Sequence, residues 1–298
     1  MKRLSFSVGL AIAFCCAMSG LAGAVNQYSF QKVVFPNDTF TQLLGIDDFD
    51  VIVGYHGMNV NKGIVFNPPH TFTNVNFPAS AQTQIIGINN YFKTDGFYID
   101  IGGVTHGFLR TANATFTTVD YPSTGFNQLL GLNNRGQAVG YYADAPAFTI
   151  DHAYIYDQNG GVFLPIVNPL SVNSQATGIN DQQVVCGFYV DSGNVTHGFL
   201  LNAGTLTTID FPGSSSFTQA LGLNNEGFVV GIYQVVSGQN TATHGFIYNS
   251  SNGHFRSLDE PKGLGTTTIN GINDFNQIVG FYVDSNGNTD GFIGTPIK

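Results

Sequence analysis

Tryptophan is absent from this sequence, and glutamate occurs only twice, at Glu226 and Glu260. Charged side chains make up 10% of the 298 residues, against 43% apolar ones. A chain so apolar and so poor in charge is not disordered and has ample material for a core. Two glutamates leave little for glycosidase chemistry, which needs converging carboxylates roughly 5–10 Å apart. Cysteine is scarce as well. Cys15 and Cys16 lie within the first 24 residues, so Cys186 alone remains downstream and has no disulfide partner there. No basic patch exists. Beyond Lys2 and Arg3 the chain carries 8 basic against 19 acidic side chains, a formal charge of −11. Nucleic acid and anionic membrane surfaces are poor partners on those grounds. No segment beyond residue 24 could span a bilayer, so membrane insertion is not expected. No stretch shows a 3.6-residue apolar period, so helices are not expected either. A Gly-x-Ser-x-Gly elbow, a nucleotide-binding loop and a zinc signature are all missing.

The first 24 residues, "MKRLSFSVGLAIAFCCAMSGLAGA", differ in kind from the rest. A basic start, a short apolar run and a small-residue end read as a secretory signal peptide over 1–24, cleaved near Ala24. The alternative is a membrane anchor, for which the apolar run is short and no stop-transfer charges follow. The expected destination of residues 25–298 is extracellular or periplasmic.

What the chain has in abundance is a repeat. "GLNNRGQAVGYY" (131–142) returns as "GLNNEGFVVGIY" (222–233) and "GINDFNQIVGFY" (271–282). Six copies begin at Gly45, Gly87, Gly131, Gly178, Gly222 and Gly271, 42 to 49 residues apart. A second glycine follows nine residues later each time: Gly54, Gly96, Gly140, Gly187, Gly231 and Gly280. Periods of this length point to propellers, solenoids or arrays. Each unit reads as four short strands rich in Val, Ile, Leu, Phe, Tyr and Thr: "QLLGLN" (128–133), "QAVGYY" (137–142), "HAYIY" (152–156) and, in the next copy, "LTTIDF" (206–211). Asn, Asp and Gly between strands 1 and 2 tolerate the positive φ of tight turns.

The last copy stops after a third strand, "GFI" (291–293), while the mature chain begins with an orphan fourth strand, "YSFQKVVFP" (28–36). A ring accounts for both, because the N-terminal strand then completes the last blade and no sheet edge is left open. The expected fold is an all-β six-bladed β-propeller of four-stranded blades over residues 25–298. A linear solenoid would have no use for the split unit.

The recurring Asn-Asx-x-Gly, Val-Val-Gly-x-Tyr and His-Gly/Ala-Phe elements resemble the bacterial extracellular repeats named for a His-Ala-Phe tripeptide, the HAF family. The resemblance covers essentially all of residues 25–298. This chain writes His-Gly-Phe at 106–108, 197–199 and 244–246, His-Ala-Tyr at 152–154, Lys-Gly-Ile at 62–64 and Asp-Gly-Phe at 290–292. The resemblance implies an exported protein and no particular activity.

With strand 1 innermost, its leading residues would ring the channel as a hydrogen-bonding collar: Gln42, Gln84, Gln128, Gln175 and Gln219, with Thr268 in the sixth copy. Strand 2 carries Tyr98, Tyr142, Tyr189, Tyr233 and Tyr282 toward the same face, with His56 in the first copy. Asp100, Asp144, Asp191 and Asp284 follow two residues later. These three series are the candidate ligand face, since Tyr offers flat amphipathic area and Asp binds hydroxyls or cations. Each has a plain structural reading beside it: glutamines satisfying backbone groups, tyrosines packing between blades, aspartates closing hairpins. His106, His152, His197 and His244 open strand 3 opposite those aspartates. They fall in different blades, too far apart to share one metal ion at ~2.0–2.1 Å, so a structural Asp–His pair is expected and no metal. "DSNGNTDG" (284–291) lacks the sixth-position glycine and distal glutamate of a calcium loop, which leaves Ca2+ a faint prospect and otherwise no cofactor. Cys186 aligns with Val53, Val139, Val230 and Val279 and reads as a small core residue.

No single set of groups breaks the repeat symmetry as an active site must. The expected protein is a secreted, non-enzymatic binding or interaction propeller, monomeric, with an extracellular protein or glycan as ligand. An extracellular carbohydrate hydrolase or lyase on the same fold, or a structural cell-surface or matrix protein, are the alternatives.

Overall fold

The computed structural model describes residues 27–69, 71–145 and 147–297. The expected signal peptide lies outside the described residues. Six antiparallel four-stranded sheets stand in a ring, so the chain is a six-bladed β-propeller. The innermost strands are Thr41–Ile46, Gln82–Ile88, Asn127–Leu132, Ser171–Ile179, Thr218–Leu223 and Thr268–Ile272, and they define blades 1 to 6. Each blade then runs outward in chain order to a short fourth strand, such as Thr205–Ile209 in blade 4.

Blade 6 is assembled from both ends of the chain. Tyr28–Val33 pairs antiparallel with Thr289–Pro296, in a register that sets Tyr28 against Pro296 and Val33 against Gly291. The Lys32 ammonium on this strand meets the Asp290 carboxylate on its neighbour. Val33 then joins Leu43, Ile64 and Phe66 of blade 1 and Val279 and Ile293 of blade 6 in one buried cluster. Apolar clusters of this kind fill the other seams too. Each buried aliphatic or aromatic side chain contributes about 1.5–3 kcal/mol.

The repeated glycines are explained by close approach. A Cβ on Gly54, Gly96, Gly140, Gly187, Gly231 or Gly280 would lie 1.9 to 2.1 Å from the carbonyl oxygen of the residue that precedes its pairing partner on the innermost strand. The innermost strand is bulged there, between Leu129 and Gly131 in blade 3 and at the matching place in every other blade. The bulge drives backbone toward backbone. The first glycine of each repeat also has a task. Gly45, Gly87, Gly131, Gly178, Gly222 and Gly271 each abut the next, and Gly271 abuts Gly45, at 3.1 to 3.4 Å from a hypothetical Cβ to the neighbouring Cα. Six innermost strands converge on the axis only because no side chain separates them.

Candidate ligand face and central channel

At the end of the ring bearing the 4→1 and 2→3 connections, the axis opens into a cavity of about 390 Å³. Gln42, Gln84, Gln128, Gln175 and Gln219 line it, above a tier of Leu44, Ile86, Leu130, Thr177, Leu221 and Asn270. Thr268 does not reach the lining, and Asn270 is the polar residue that blade 6 contributes. Three collar glutamines are held. Gln42 Oε1 accepts the Tyr55 hydroxyl at 2.6 Å. Gln84 donates to Asn61 Oδ1, and Gln175 donates to Asp151 Oδ2, both at 2.7 Å. Burial raises the Tyr55 phenol to about 12, so it stays a donor. The collar is a neutral hydrogen-bonding ring, fixed at three of its five glutamines, that suits hydroxyls and amides better than ions.

The tyrosine series does not belong to an open ligand surface. Tyr98, Tyr189, Tyr233 and Tyr282 are buried, and Tyr142 is half-buried. Tyr98 and Tyr233 stack on Phe77 and Phe211, the residues before the repeat prolines, with ring centroids 3.7 and 3.6 Å apart. Tyr142 stacks on Tyr121 in the same way, and His56 on Phe35. The hydroxyls of Tyr98, Tyr189 and Tyr233 bond to Thr118, Thr208 and Ser257 on the fourth strand of the same blade. An aromatic residue flanked by two strands and a proline turn buries more area than it would at the rim, which corrects the ligand-face expectation for this series.

The aspartates are likewise committed to their loops. Asp100 Oδ1 accepts the N–H groups of Gly102 and Val104, Asp191 those of Gly193 and Val195, and Asp284 those of Asn286 and Asn288. These backbone bonds hold all three carboxyls below the usual carboxylate range. Asp144 instead reaches His152 Nε2 at 2.9 Å.

The histidines sit where expected, with one partner that the sequence reading did not assign. His106, His197 and His244 place Nδ1 at 2.7, 2.8 and 2.7 Å from Asp120, Asp210 and Asp259, at the end of the fourth strand. The hairpin aspartates stand on the other side, with Asp100 3.6 Å from His106 and Asp191 3.4 Å from His197. Burial works against the proton on His197, but Asp210 and Asp191 together raise its pKa. His106 and His197 each tie a 2→3 loop to a strand end; His244 has no hairpin aspartate, because blade 5 carries Val235 there, and is held by Asp259 alone. In blade 6 the polarity is reversed: Asp290 takes the histidine position and Lys32 answers from the fourth strand. Asp290 and the buried Glu260 act with burial, the largest cause, to push the Tyr282 phenol up. Both carboxylates are engaged, Asp290 by Lys32 and Glu260 by the Lys262 N–H. Among the described residues no three His, Cys, Asp or Glu gather into a metal-binding group.

Two features of the site were not read from sequence. First, the end of the ring on which the cavity opens carries exposed apolar side chains in or beside its 2→3 and 4→1 connections: Ile101 (91% exposed), Val167 (80%), Leu264 (74%), Leu170 (64%), Met58 (59%) and Val236 (50%). They come from loops that align poorly between repeats, so period-based reading passed over them. Second, the opposite end of the axis is closed by a ring of turn residues. The N–H of Asp48 donates to Asn90 Oδ1, and the relay continues through Asn134, Asp181, Asn225 and Asp274 back to Asp48, at 2.8 to 3.0 Å throughout. The doubled Asn/Asp in all six turns was the available signal. One turn residue needs amide or carboxylate chemistry for the turn itself, and the second serves the ring. Asp95 was also missed. It occupies the strand-2 position of Val53 and Cys186, fully buried, bonded to the Gly87 N–H at 2.8 Å, and burial pushes its carboxyl up to about 7. Cys186 is a buried core residue whose thiol burial raises to about 12.

A family model described as "Protein of unknown function (DUF3466)" matches residues 124–289, which is blades 3 to 5 and the first two strands of blade 6. The chain belongs to this family. No curated protein sequence matches this DUF3466 chain. Its fold is similar to that of TolB from Acinetobacter baumannii, with TM-score 0.52 and 11% identity over 83% of this chain; the chain spans 64% of that protein. A TolB candidate from Agrobacterium tumefaciens is similar at TM-score 0.59 and 8% identity, covering 87% of this chain and 91% of the other. Virginiamycin B lyase from Staphylococcus aureus is similar at TM-score 0.50 and 10% identity, covering 91% and 89%. At such identities the likeness extends to the propeller fold alone. No helix among the described residues is long and apolar enough to cross a membrane.

Proposed function

We propose that this DUF3466 protein is an exported, non-enzymatic binding propeller that holds an extracellular protein or glycan on its 4→1/2→3 face. The observation that carries this reading is the set of exposed apolar side chains on the end of the ring where the glutamine-lined cavity opens. A single exposed apolar residue is ordinary, but Ile101, Val167, Leu170, Leu264 and Met58 all lie in 2→3 or 4→1 connections, on the end of the ring where the cavity opens. Exposed apolar side chains on the same end as a polar cavity are the composition of a recognition surface. The glutamine collar then supplies orientation, and the apolar side chains supply area. The leader-like residues 1–24 and the HAF resemblance support export. The named similar structures include both TolB proteins and a lyase, so the fold is compatible with binding and with catalysis. Binding is favoured because, of the buried carboxylates that break the repeat, Glu260 and Asp290 are spent on the Lys262 N–H and on Lys32, Asp95 is sealed from solvent, and Asp47 lies at the opposite end of the ring.

The test is a screen of residues 25–298 against glycan and extracellular-protein panels, followed by Ile101→Asp and Val167→Asp with the hit obtained. Each substitution should weaken binding at least tenfold without altering Tm, since both side chains are solvent-exposed. Unchanged binding by both variants, or turnover of a hit that Glu260→Gln abolishes, would overturn the reading.

A further inference from the structure

The end of the ring opposite the proposed ligand face breaks the sixfold repeat in one place. The third residue of the 1→2 turn is Phe49, Tyr91, Arg135, Gln182, Glu226 and Phe275 in blades 1 to 6. Blades 6, 1 and 2 are neighbours, so Phe275, Phe49 and Tyr91 form one aromatic arc, 66, 63 and 63% exposed. Phe92 extends it, and its ring lies 5.7 Å from that of Phe49 across the seam between blades 1 and 2. Phe92 also holds a φ of +57°, at a position where blades 3 and 5 use Gly136 and Gly227. Bulky residues rarely take that conformation, and here it keeps a phenylalanine in solvent.

The same seam lacks a hydrogen bond that the others have. Asn89, Asn133, Asn180, Asn224 and Asn273 each donate Nδ2–H to the backbone carbonyl of the equivalent residue in the next blade, at 2.9 to 3.1 Å. Blade 1 has Asp47 instead. Its Oδ1 accepts the N–H groups of Phe49 and Val51, as Asn89 Oδ1 does for Tyr91 and Lys93. Its Oδ2 therefore takes the place of the amide nitrogen. The residue is 3% exposed, and Oδ2 has no partner. Two acceptors, Asp47 Oδ2 and the Asn89 carbonyl, share a seam without the usual donor between them.

Both residues line an axial dimple of about 70 Å³, together with Asp48, Asp181 and Asp274. That volume suits one cationic head group. The six turns carry Asp47, Asp48, Asp50, Asp181, Glu226 and Asp274 against Lys93 and Arg135. The carboxylates do not converge on a point as a metal site requires. Aromatic faces beside carboxylates select N–H-bearing cations, through ring quadrupoles and charge-assisted hydrogen bonds. The arc spans three blades, wider than a lone ion needs.

We propose that the seam between blades 1 and 2, at the 1→2 end, binds a Lys or Arg side chain on an extended segment of a partner protein. The head group donates to Asp47 Oδ2 and the Asn89 carbonyl, and the segment's apolar residues lie on Phe49, Phe92 and Phe275. This surface is on the opposite end of the ring from the proposed ligand face and does not depend on it.

The test uses three fluorescein-labelled hexapeptides, Gly-Leu-Arg-Leu-Arg-Gly and its Gln and Glu counterparts, in anisotropy titrations at low salt. The Arg peptide should bind at least tenfold more tightly than the Gln peptide, and the Glu peptide should not bind. Phe49→Ala and Asp47→Asn should each lower Arg-peptide affinity about fivefold or more, with no loss of Tm. Gln182→Ala, on the far side of the ring, should leave it unchanged. Equal binding by all variants would mean diffuse attraction to an acidic protein and would overturn the proposal. So would the absence of Arg-peptide binding, a Tm rise with Ca2+ that Asp47→Asn abolishes, or binding of a neutral oligosaccharide that Phe49→Ala removes.

Discussion

Asp47 stands in blade 1 where Asn89 stands in blade 2, and the Asp47 carboxylate cannot make the inter-blade bond that the Asn89 amide makes to Asn133. Five donors and one acceptor therefore close a sixfold ring. A proton on Oδ2 restores the sixth donor. Burial is the main cause that pushes the Asp47 carboxyl up to about 6, with the charges of Asp48 and Asp50 adding to it and the Val51 and Phe49 N–H groups opposing it.

A pH dependence of stability follows. A carboxyl whose folded pKa exceeds its unfolded value of about 3.9 binds more protons in the native state, so its contribution is full below that value and is lost as pH rises through about 6. Asp47→Asn supplies the missing donor permanently. It should stabilise the protein by about 1–2 kcal/mol at pH 8, or about 3–6 °C in Tm, and by much less at pH 4.5. Thermal melts of both proteins across that range measure it. An equal Tm difference at the two pH values would show that Asp47 does not titrate in this window.

Gly140 is a sharper case than a general dislike of alanine in tight places. Its Cβ would lie 1.9 Å from the Gln128 carbonyl oxygen, which is backbone and cannot rotate away. Gly140→Ala should destabilise by about 3 kcal/mol. Gly103→Ala is the comparison, since a Cβ there meets nothing and only its φ of +86° opposes it, for about 1 kcal/mol. Denaturation midpoints that rank the two in reverse would refute the bulge account of the repeat glycine.

His197 is held by two carboxylates and His152 by one, and the His152 side chain is 40% exposed against 20% for His197. His197→Ala should cost about 1–3 kcal/mol, and His152→Ala less than about 1 kcal/mol. With its pKa raised, His197 contributes fully below its unfolded value of about 6.5 and loses the contribution as pH climbs through the folded value. The His197→Ala penalty should therefore be larger at pH 6 than at pH 9. EDTA should leave Tm unchanged, and a marked drop would instead argue for bound metal.

Removal of residues 25–36 should open the ring. It strips six paired residues from Thr289–Pro296, leaves Asp290 without Lys32, and takes Val33 out of the seam between blades 6 and 1. An apolar edge strand then faces solvent. Light scattering should report aggregation at temperatures where the full protein stays in solution, and Tm should fall. A truncated protein that remains monomeric with its Tm intact would mean that the closing strand is dispensable.

The sequence by itself determined the ring. Six glycine-spaced units, a truncated last copy and an orphan first strand admit one economical closure, because unpaired strand edges are costly and backbone pairing is local and periodic. It also placed His106, His152 and His197 against the hairpin aspartates Asp100, Asp144 and Asp191, since residues facing each other across a two-strand hairpin follow from register; His244, which has no such aspartate, meets only Asp259. Only the tertiary structure decided which repeated side chains are buried. Tyr189 and Gln175 recur with equal regularity along the chain, yet one is sealed beneath a strand and the other lines a cavity, because burial depends on what the neighbouring blade and proline turn cover. The same holds for Asp47. In the sequence it is one more turn residue tolerant of positive φ nearby. Its lost donor shows only where the first turn packs against the second across the seam between blades 1 and 2, a contact between turns 42 residues apart that no local pattern reveals.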